Sequence, residues 1–202
     1  EEEEEGRAYW SRQKLSHVAP VKLALERSSP EPESFESRCL ESEIDTTLRA
    51  KLEALAENYQ TSLPVVLLAC WQVLIWRFSN QREVVVETSF DQRKYSELEG
   101  ALGLYTNYLP LKATFEESFS FIDALRQVNQ NFSDADEWQE TFYSQLLEEG
   151  DARLKERIAD SINYQFSQWP AISKQAGVSF SLLSIRDPSE ISKLKLSCIN
   201  RP

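Results

Sequence analysis

Few residues in this sequence are suited to catalysis. His17 is the only histidine among 202 residues, and a general base usually needs a pKa near neutrality, as histidine has. It precedes Pro20 in a turn-like region, where a lone histidine is usually a surface residue. The sequence contains no glycine-rich phosphate loop and no Cys-x-x-Cys, His-Glu-x-x-His or Gly-x-Ser-x-Gly motif. We therefore assign no catalytic residue and no metal ligand.

The composition is that of an acidic globular domain. Hydrophobic residues make up 41% of the chain and aromatic residues 11%, which is enough for one packed core. The net charge of −11 disfavours nucleic acid as a partner, because its phosphates would be repelled. Neighbouring carboxylates are expected by chance in so acidic a chain and do not indicate a site.

The cysteines and the apolar segments indicate a cytoplasmic protein. Cys39, Cys70 and Cys198 have neither disulfide nor metal-ligand spacing, and an odd, widely spaced set is typical of reduced thiols. The apolar run from Leu63 to Ile75 is too short to span a bilayer, and no signal peptide is visible. We expect no membrane partner.

Two predicted strands joined by a long loop lie at the centre of the sequence. The first has a β-branched run that begins at Val84 and an apolar face at every second residue up to Phe90. The second runs from Tyr105 to Lys112 and contains Pro110, which cannot donate a ladder hydrogen bond and so predicts an edge or a bulge. Long ordered loops between strands often carry function.

Periodicity predicts the elements that must hold this loop. The expected helices are Arg7–Leu15, one from Asp45 or Thr46 to about Gln60, one from Thr61 or Ser62 to Phe78, and Phe119 to about Trp138. The third helix is apolar nearly all round and is expected to be buried, with Cys70 inside it. Further strands are expected at Phe35–Ile44, Ser161–Gln168, Gly177–Ile185 and Lys193–Ile199, the last two forming a hairpin. Glu148–Ala159 is expected to be an exposed helix or a mobile loop.

The second central strand resembles a motif of nonribosomal peptide synthetase condensation domains. That motif reads Ile-Gly-any-Phe-Val-Asn-Thr-Leu-Pro-Leu-Arg, and residues 102–112 read Leu-Gly-Leu-Tyr-Thr-Asn-Tyr-Leu-Pro-Leu-Lys. Residues 91–100 are similar to the Gly-Arg…Glu-Leu-Glu-Gly segment that precedes it. The departures from the family pattern are Thr106, Tyr108 and, in the preceding segment, Gln92.

The resemblance implies an α/β fold, with a mixed sheet of about five strands flanked by helices, as in one lobe of a chloramphenicol-acetyltransferase-like two-lobed fold. It implies a parent enzyme that forms an amide bond between acyl groups held on the phosphopantetheine arms of carrier proteins, with no cofactor bound directly. The family's His-His-x-x-x-Asp-Gly motif belongs to the first lobe and is absent here. We therefore expect residues 1–202 to be most of the C-terminal lobe, inactive alone.

The resemblance also supplies candidates for residues that line the substrate tunnel or its floor loop. These are Arg93, Gly103, Tyr105, Asn107, Gln139 and Asn163. All of them except Tyr105 have a simpler interpretation. Asn107 could cap a strand end, Gly103 could serve the backbone alone, and Arg93 could pair with Glu97 or Glu99. Gln139 and Asn163 could be simply exposed. Near Gln139 the family reads His-Gln-Asp-Tyr-Pro-Phe, so Trp138 and Thr141 are departures.

The expected partners are aminoacyl or peptidyl carrier proteins, neighbouring synthetase domains, the missing N-terminal lobe and, through the exposed lobe face, a second copy of the chain. Two alternatives remain open. One is an acyltransferase of the same superfamily that forms esters or uses coenzyme A thioesters. The other is a non-catalytic module that only docks carrier proteins, for which the departures at Gln92, Trp138 and Thr141 leave room.

Overall fold

A computed structural model describes residues 2–24, 26, 38–98, 100–142, 161–175, 177–183, 185 and 192–201. Its helices are α1 (Glu2–Gln13), α2 (Thr46–Asn58), α3 (Leu63–Ser79) and α4 (Phe121–Glu137). Its strands are β1 (Glu83–Asp91), β2 (Thr106–Thr114), β3 (Ile162–Gln168), β4 (Ser173–Gln175), β5 (Val178–Phe180) and β6 (Leu194–Asn200). Short 3₁₀ turns occupy Leu15–His17 and Ser96–Leu98.

The main sheet is mixed and has the strand order β2-β1-β3-β6. Strand β1 runs antiparallel to β2 and parallel to β3, and β3 runs parallel to β6. The predicted alternation of β1 is confirmed, because Val84, Val86, Thr88 and Phe90 are all buried. Pro110 lies in β2, an edge strand of this sheet as predicted. The predicted α/β class and mixed sheet are therefore confirmed.

Helix α3 packs on one face of the sheet. The Tyr164 hydroxyl of β3 donates to the Pro64 carbonyl at 2.7 Å, and Gln72 Nε2 donates to the Leu111 carbonyl of β2 at 2.9 Å. The prediction that this helix is buried all round is wrong: Leu74 and Phe78 are 44% and 54% exposed, and Cys70 is exposed as well. Among the described elements the sheet and the neighbouring helices cover only one side of α3.

Helix α4 lies along β2 on the same face of the sheet. It begins with a capping box between Ser120 and Asp123. The Gln127 side chain accepts from the Thr114 amide at 2.8 Å. One turn later, Asn131 Nδ2 donates to the Lys112 carbonyl at 2.7 Å. These side chains satisfy backbone groups of an edge strand that would otherwise be unpaired.

Helix α1 closes the core against the end of α4. Trp10 Nε1 donates to the Trp138 carbonyl at 2.9 Å, and the Trp10 ring lies 4.7 Å from that of Phe142. A Cβ on Gly6 would lie 2.9 Å from the Trp138 ring, so the contact requires glycine. The helix starts earlier than predicted, because the acidic residues Glu2–Glu5 form its first turn, where negative charge is favourable.

Three strand predictions need correction. Of the strand expected at 35–44, the described residues 38–44 have no regular structure. Within 177–185 the described strand is only β5, Val178–Phe180, and it forms a small hairpin with β4 around Gly177. At φ +80° this glycine turns the chain in a way other residues resist. Strand β6 pairs in parallel with β3 and does not form the predicted hairpin with 177–185. That prediction was wrong because an alternating pattern shows which residues share a face of a strand and does not show which strand lies beside it. Residues 148–159 lie outside the described part.

Among the described residues no single helix has the length and apolarity to cross a bilayer. Helices α2 and α3 taken together have the length and apolar composition of a membrane-crossing segment, by these two criteria alone, and they are bent by 100° at their junction.

Candidate functional site

The loop of residues 92–105 leaves β1 at Asp91 and returns to β2 at Thr106. The Gln92 amide donates to the Tyr105 carbonyl at 2.7 Å, which extends the β1–β2 ladder into the base of the loop. The Ala101 amide donates to the Leu98 carbonyl at 3.0 Å. Gly100 follows Glu99 with φ +80°, a conformation that glycine tolerates. The loop is thus a closed structure with internal hydrogen bonds.

Arg93 holds the two sides of this loop together. Its Nε and Nη2 donate to the Ala101 carbonyl at 3.3 and 3.1 Å, and its Nη1 pairs with Asp91 at 3.1 Å. The guanidinium lies 4.5 Å from the centre of the Tyr105 ring, which is within cation–π range. Arg93 therefore forms contacts within its own loop, as its simpler interpretation predicted, but the carboxylate that it pairs with is that of Asp91 and not that of Glu97. Glu99 lies outside the described residues.

Glycine is needed at position 103 because a larger residue would collide with the Tyr105 ring, and not because the backbone has an unusual φ there. A Cβ at this position would lie 2.8 Å from a carbon of the Tyr105 ring. The leucines on either side project into solvent, with Leu102 99% and Leu104 103% exposed. The loop therefore presents an apolar tip, which we define as Leu102 and Leu104, on a base fixed by Arg93 and Tyr105.

Asn107 lies on the helix-covered side of the sheet, and Gln139 lies just beyond the end of α4. Asn107 is opposite Phe90 in the β1–β2 ladder, and the Phe90 ring stacks on Phe132 of α4 at 4.6 Å. Gln139 is fully buried, and its Nε2 donates to the carbonyl and the carboxylate of Asp136 at 3.3 and 3.1 Å. The alternative that Gln139 is simply exposed is therefore wrong.

Asn163 is also buried, at 5% exposure, but it lies on the other face of the sheet. It is level with Glu87 in β1 and Lys195 in β6, whereas its neighbour Tyr164 points towards α3. The structure thus brings Arg93, Gly103 and Tyr105 into one cluster, with Asn107 at the base of the loop. It leaves Asn163 apart.

The titratable groups near the core do not supply a base or a nucleophile. Burial raises the pKa of the half-buried Cys198 thiol and, more strongly, the pKa of the Tyr164 hydroxyl, so these groups stay protonated at neutral pH. No cluster of three or more His, Cys, Asp or Glu residues with metal-binding geometry occurs within the described residues. The loop of residues 92–105 contains no histidine and no cysteine.

A concave surface lies at the far end of β1. It is a groove of about 510 Å³ lined by residues that include His17, Arg82 and Thr114. Arg82 is paired with Glu116. The groove adjoins Glu83, the first residue of β1, whereas the loop follows Asp91, the last. His17 is therefore remote from the loop, and its predicted surface position is confirmed.

Sequence analysis missed two features of the loop. Lys94 donates from Nζ to the Asp136 carbonyl at the end of α4, a contact that only the tertiary arrangement reveals. The apolar tip did carry a signal, because two leucines flank a glycine in a loop that is otherwise polar.

Comparison with known proteins identifies the family. The condensation domain family model matches residues 1–197. Tyrocidine synthase 3 of Brevibacillus parabrevis is 32% identical over 143 residues, which are 71% of this chain and 2% of that protein. Chondramide synthase cmdD of Chondromyces crocatus is 29% identical over 70% of this chain and 4% of its own length.

Solved structures share the fold. SgcC5 of Streptomyces globisporus matches with a TM-score of 0.65 at 19% identity, over 87% of this chain and 40% of its own. The first condensation domain of the CDA synthetase matches with a TM-score of 0.59 at 20% identity, over 84% of this chain and 36% of its own. The chain thus spans 2–4% of the first curated relatives above and 36–40% of these structures. The chain belongs to the condensation domain family.

Proposed function

We propose that this chain is most of the C-terminal lobe of a nonribosomal peptide synthetase condensation domain. The parent enzyme joins two acyl groups by an amide bond, each delivered as a thioester on the phosphopantetheine arm of a carrier protein. The relatives named tyrocidine synthase and gramicidin S synthase support a role in peptide synthesis. The observation that carries the proposal is the preformed loop of residues 92–105 with its family motif.

In this proposal the loop forms a wall and part of the floor of the substrate tunnel. Arg93 and Tyr105 fix its shape, and Asn107 lies at its base in β2, opposite Phe90. The arms arrive as part of the substrates, so the chain needs no cofactor of its own. Amine attack on the thioester needs a general base, which the absent His-His-x-x-x-Asp-Gly motif would supply.

The apolar tip supports a partner on this side of the loop. Leucines that are almost completely exposed, such as Leu102 and Leu104, are unfavourable in water unless another surface covers them. In the proposal the N-terminal lobe covers the tip. A second copy of the isolated chain is the competing occupant, and it would appear as a dimer whose formation depends on both leucines.

The test compares the isolated chain with a complete condensation domain that contains it. Each would be given two carrier proteins loaded with aminoacyl thioesters, and the products would be measured by mass spectrometry. We expect an amide product from the complete domain and none from the isolated chain. Amide formation by the isolated chain would refute the proposed division of labour between the lobes.

Ester formation is the second candidate function, and two structural neighbours favour considering it. The SgcC5 structure contains an ethanediol derivative, and PapA2, an acyl transferase, matches with a TM-score of 0.50 over 59% of this chain. Adding an alcohol acceptor to the same assay separates the two chemistries. Ester product without amide would assign the parent to this alternative, and carrier binding without any product would assign it to a docking role.

A further inference from the structure

The face of the main sheet opposite α3 and α4 carries a group of polar side chains. The two helices lie on the side of the sheet to which Val86, Phe90 and Tyr164 point. Because successive side chains of a strand point to opposite faces, their neighbours in the strands point away from the helices. We call this surface the open face and define it by Ser89, Tyr108, Asn163, Gln165 and Lys195.

The Tyr108 side chain lies across the open face. Its hydroxyl donates to Oε1 of Gln165 in β3 at 3.5 Å, although β1 separates β2 from β3. Ser89 is directly opposite Tyr108 in the β1–β2 ladder, so the ring passes over this small residue on its way to β3. Tyr108 is therefore held at its backbone and at its hydroxyl, and its side chain remains half-buried.

Lys195 reaches the same ring from the other edge of the sheet. It lies in β6, level with Asn163 of β3, and its Nζ is 5.7 Å from the centre of the Tyr108 ring. This distance is within cation–π range. Because the ammonium group occupies space above the ring, the ring is not a free platform on which an aromatic ligand could stack. It acts instead as a filled part of the surface.

Tyr108 is also a position at which this chain departs from the condensation domain motif. The motif has threonine between the residues that correspond to Asn107 and Leu109. Neighbouring strands lie about 4.8 Å apart, so a threonine in β2 is too short to reach β3. It would leave the surface over Ser89 uncovered. The tyrosine of this chain fills that surface.

The open face adjoins the loop of residues 92–105. Strand β1 ends at Asp91, where the loop begins, and β2 starts at Thr106, where the loop ends. Tyr108 follows Thr106 by two residues and therefore points to the same face of the sheet. Ligand sites occur preferentially at interfaces between domains, and α3 and α4 leave this polar surface uncovered. A tunnel that has the loop as one wall is continued by the open face.

We propose that Tyr108 is a specificity-determining residue that limits the size of the acyl group admitted beside the open face. Its ring occupies space that a bulky acyl side chain would need, so the preferred substrates carry small side chains, as in glycyl or alanyl thioesters. The inference rests on the proposed function and deepens it, because it names the substrate class of the same site. Tyr108 restricts space and takes no part in bond formation.

Binding of unreactive substrate analogues to the complete condensation domain tests the proposal. The probes are glycyl and phenylalanyl pantetheine analogues in which an amide replaces the thioester, and calorimetry gives their dissociation constants. The wild type should bind the glycyl probe at least about tenfold more tightly, because even one methylene group changes discrimination in a pocket by about 10–200-fold. In Tyr108→Thr the two probes should bind with similar affinity.

Three further variants separate the size of the ring from other effects. Tyr108→Phe keeps the ring and loses only the bond to Gln165, so it should retain the preference for the glycyl probe. The matched control is Tyr59→Thr, which makes the same exchange at a tyrosine that is 37% exposed at the end of α2. It should leave both dissociation constants unchanged. If Tyr108→Thr does not fold, Tyr108→Leu removes the ring with an apolar residue and should also reduce the preference.

Four results would overturn the proposal: equal binding of the two probes by the wild type, tighter binding of the phenylalanyl probe, no binding of either probe, or an unchanged preference after the ring is removed. None of these measurements requires turnover. Failure of the proposed function would appear instead as the absence of amide product in the assay with loaded carrier proteins. The two failures are therefore distinguishable.

Discussion

Two segments of this molecule carry apolar side chains into solvent, and they are built differently. The loop of residues 92–105 exposes Leu102 and Leu104, and its base is fixed by Arg93, Lys94 and the ladder bond of Gln92. The β4–β5 hairpin exposes Ile172, Val178, Phe180 and Leu183 at 52–80%, and its two strands pair over only three residues each.

The difference concerns preorganisation. A surface that is already held in one shape loses little conformational entropy when a partner covers it. A short two-stranded hairpin, in contrast, is only marginally stable until it packs against another surface. We therefore expect the loop to keep its shape in the isolated chain, and the hairpin to need a partner to become fully ordered. The following variants test this contrast from the largest expected effect to the smallest.

Arg93→Ala should open the loop more than any other single change within it. The variant loses three hydrogen bonds to Ala101 and Asp91 and the contact with the Tyr105 ring. Hydrogen bonds of charged groups contribute about 1.5–3 kcal/mol each, so hydrogen exchange at the Gln92 and Ala101 amides should accelerate at least about tenfold.

The matched control is Arg49→Ala, which removes an exposed pair with Glu53 on α2. Such surface pairs contribute about 0–1 kcal/mol, so loop exchange should not change. If exchange in the hairpin rises as much as exchange in the loop after Arg93→Ala, the two segments are not independent and the contrast fails.

Gly103→Ala should displace the Tyr105 ring from Arg93. Its new Cβ would lie 2.8 Å from a ring carbon, so the ring must move by several tenths of an ångström. We expect a change in the Tyr105 ring chemical shifts and a severalfold faster exchange at Gln92. Gly100→Ala is the comparison: its Cβ meets open space, so strain at φ +80° should accelerate loop exchange without shifting the ring resonances.

Gly177→Ala should affect the hairpin alone. The residue has φ +80° and no atom near its Cβ position, so the cost is backbone strain of about 1–2 kcal/mol. Because the hairpin pairs with itself and not with the main sheet, β4 and β5 should lose exchange protection while the midpoint of global denaturation stays unchanged. A lower midpoint would mean that the hairpin belongs to the cooperative core.

The smallest effect concerns pH and an anchor near β6. Lys193 Nζ pairs with Glu26 at 2.7 Å and donates to the Val21 carbonyl. The hydrogen bond from Lys193 holds the pKa of Glu26 below its ordinary value. A lowered folded-state pKa stabilises the fold at pH values above the unfolded pKa, and this stability is lost as the pH falls through the folded pKa.

The corresponding measurement is urea denaturation of the wild type and Glu26→Gln between pH 7 and pH 3. The wild type should be slightly more stable at neutral pH, and the difference should shrink as the pH falls through the acidic range. Glu53→Gln, which breaks only an exposed pair, should show a smaller difference at every pH. A difference that persists at pH 3 would rule out the ionic origin.

Much of the framework could be predicted because local rules agreed with tertiary packing. The alternation from Val84 to Phe90 predicted the buried face of β1, Asp45 was one of two predicted start residues of α2, and Pro110 was predicted to lie at an edge or a bulge. The neighbours of β6 could not be predicted, since alternation defines the two faces of a strand and leaves its partner open.

The site was predicted less completely, for a related reason. Several carboxylates lie near Arg93 in sequence, and only the folded loop selects Asp91. Gln139 was weighed as an exposed residue because glutamine is usually exposed, yet the end of α4 buries it completely. The glycines and leucines of residues 102–104 were visible in the sequence, but the approach of the Tyr105 ring to Gly103 follows from the structure alone.

The central claim is that the apolar tip docks onto the rest of a two-lobed condensation enzyme. The most direct measurement is the rate of product formation by the complete domain carrying Leu102→Ser and Leu104→Ser, compared with Leu40→Ser, which changes a leucine that is 96% exposed elsewhere. Burial of two leucines contributes about 3–6 kcal/mol, so the tip variant should lose at least about tenfold in rate while Leu40→Ser keeps full activity. Equal activity of both variants would contradict the account.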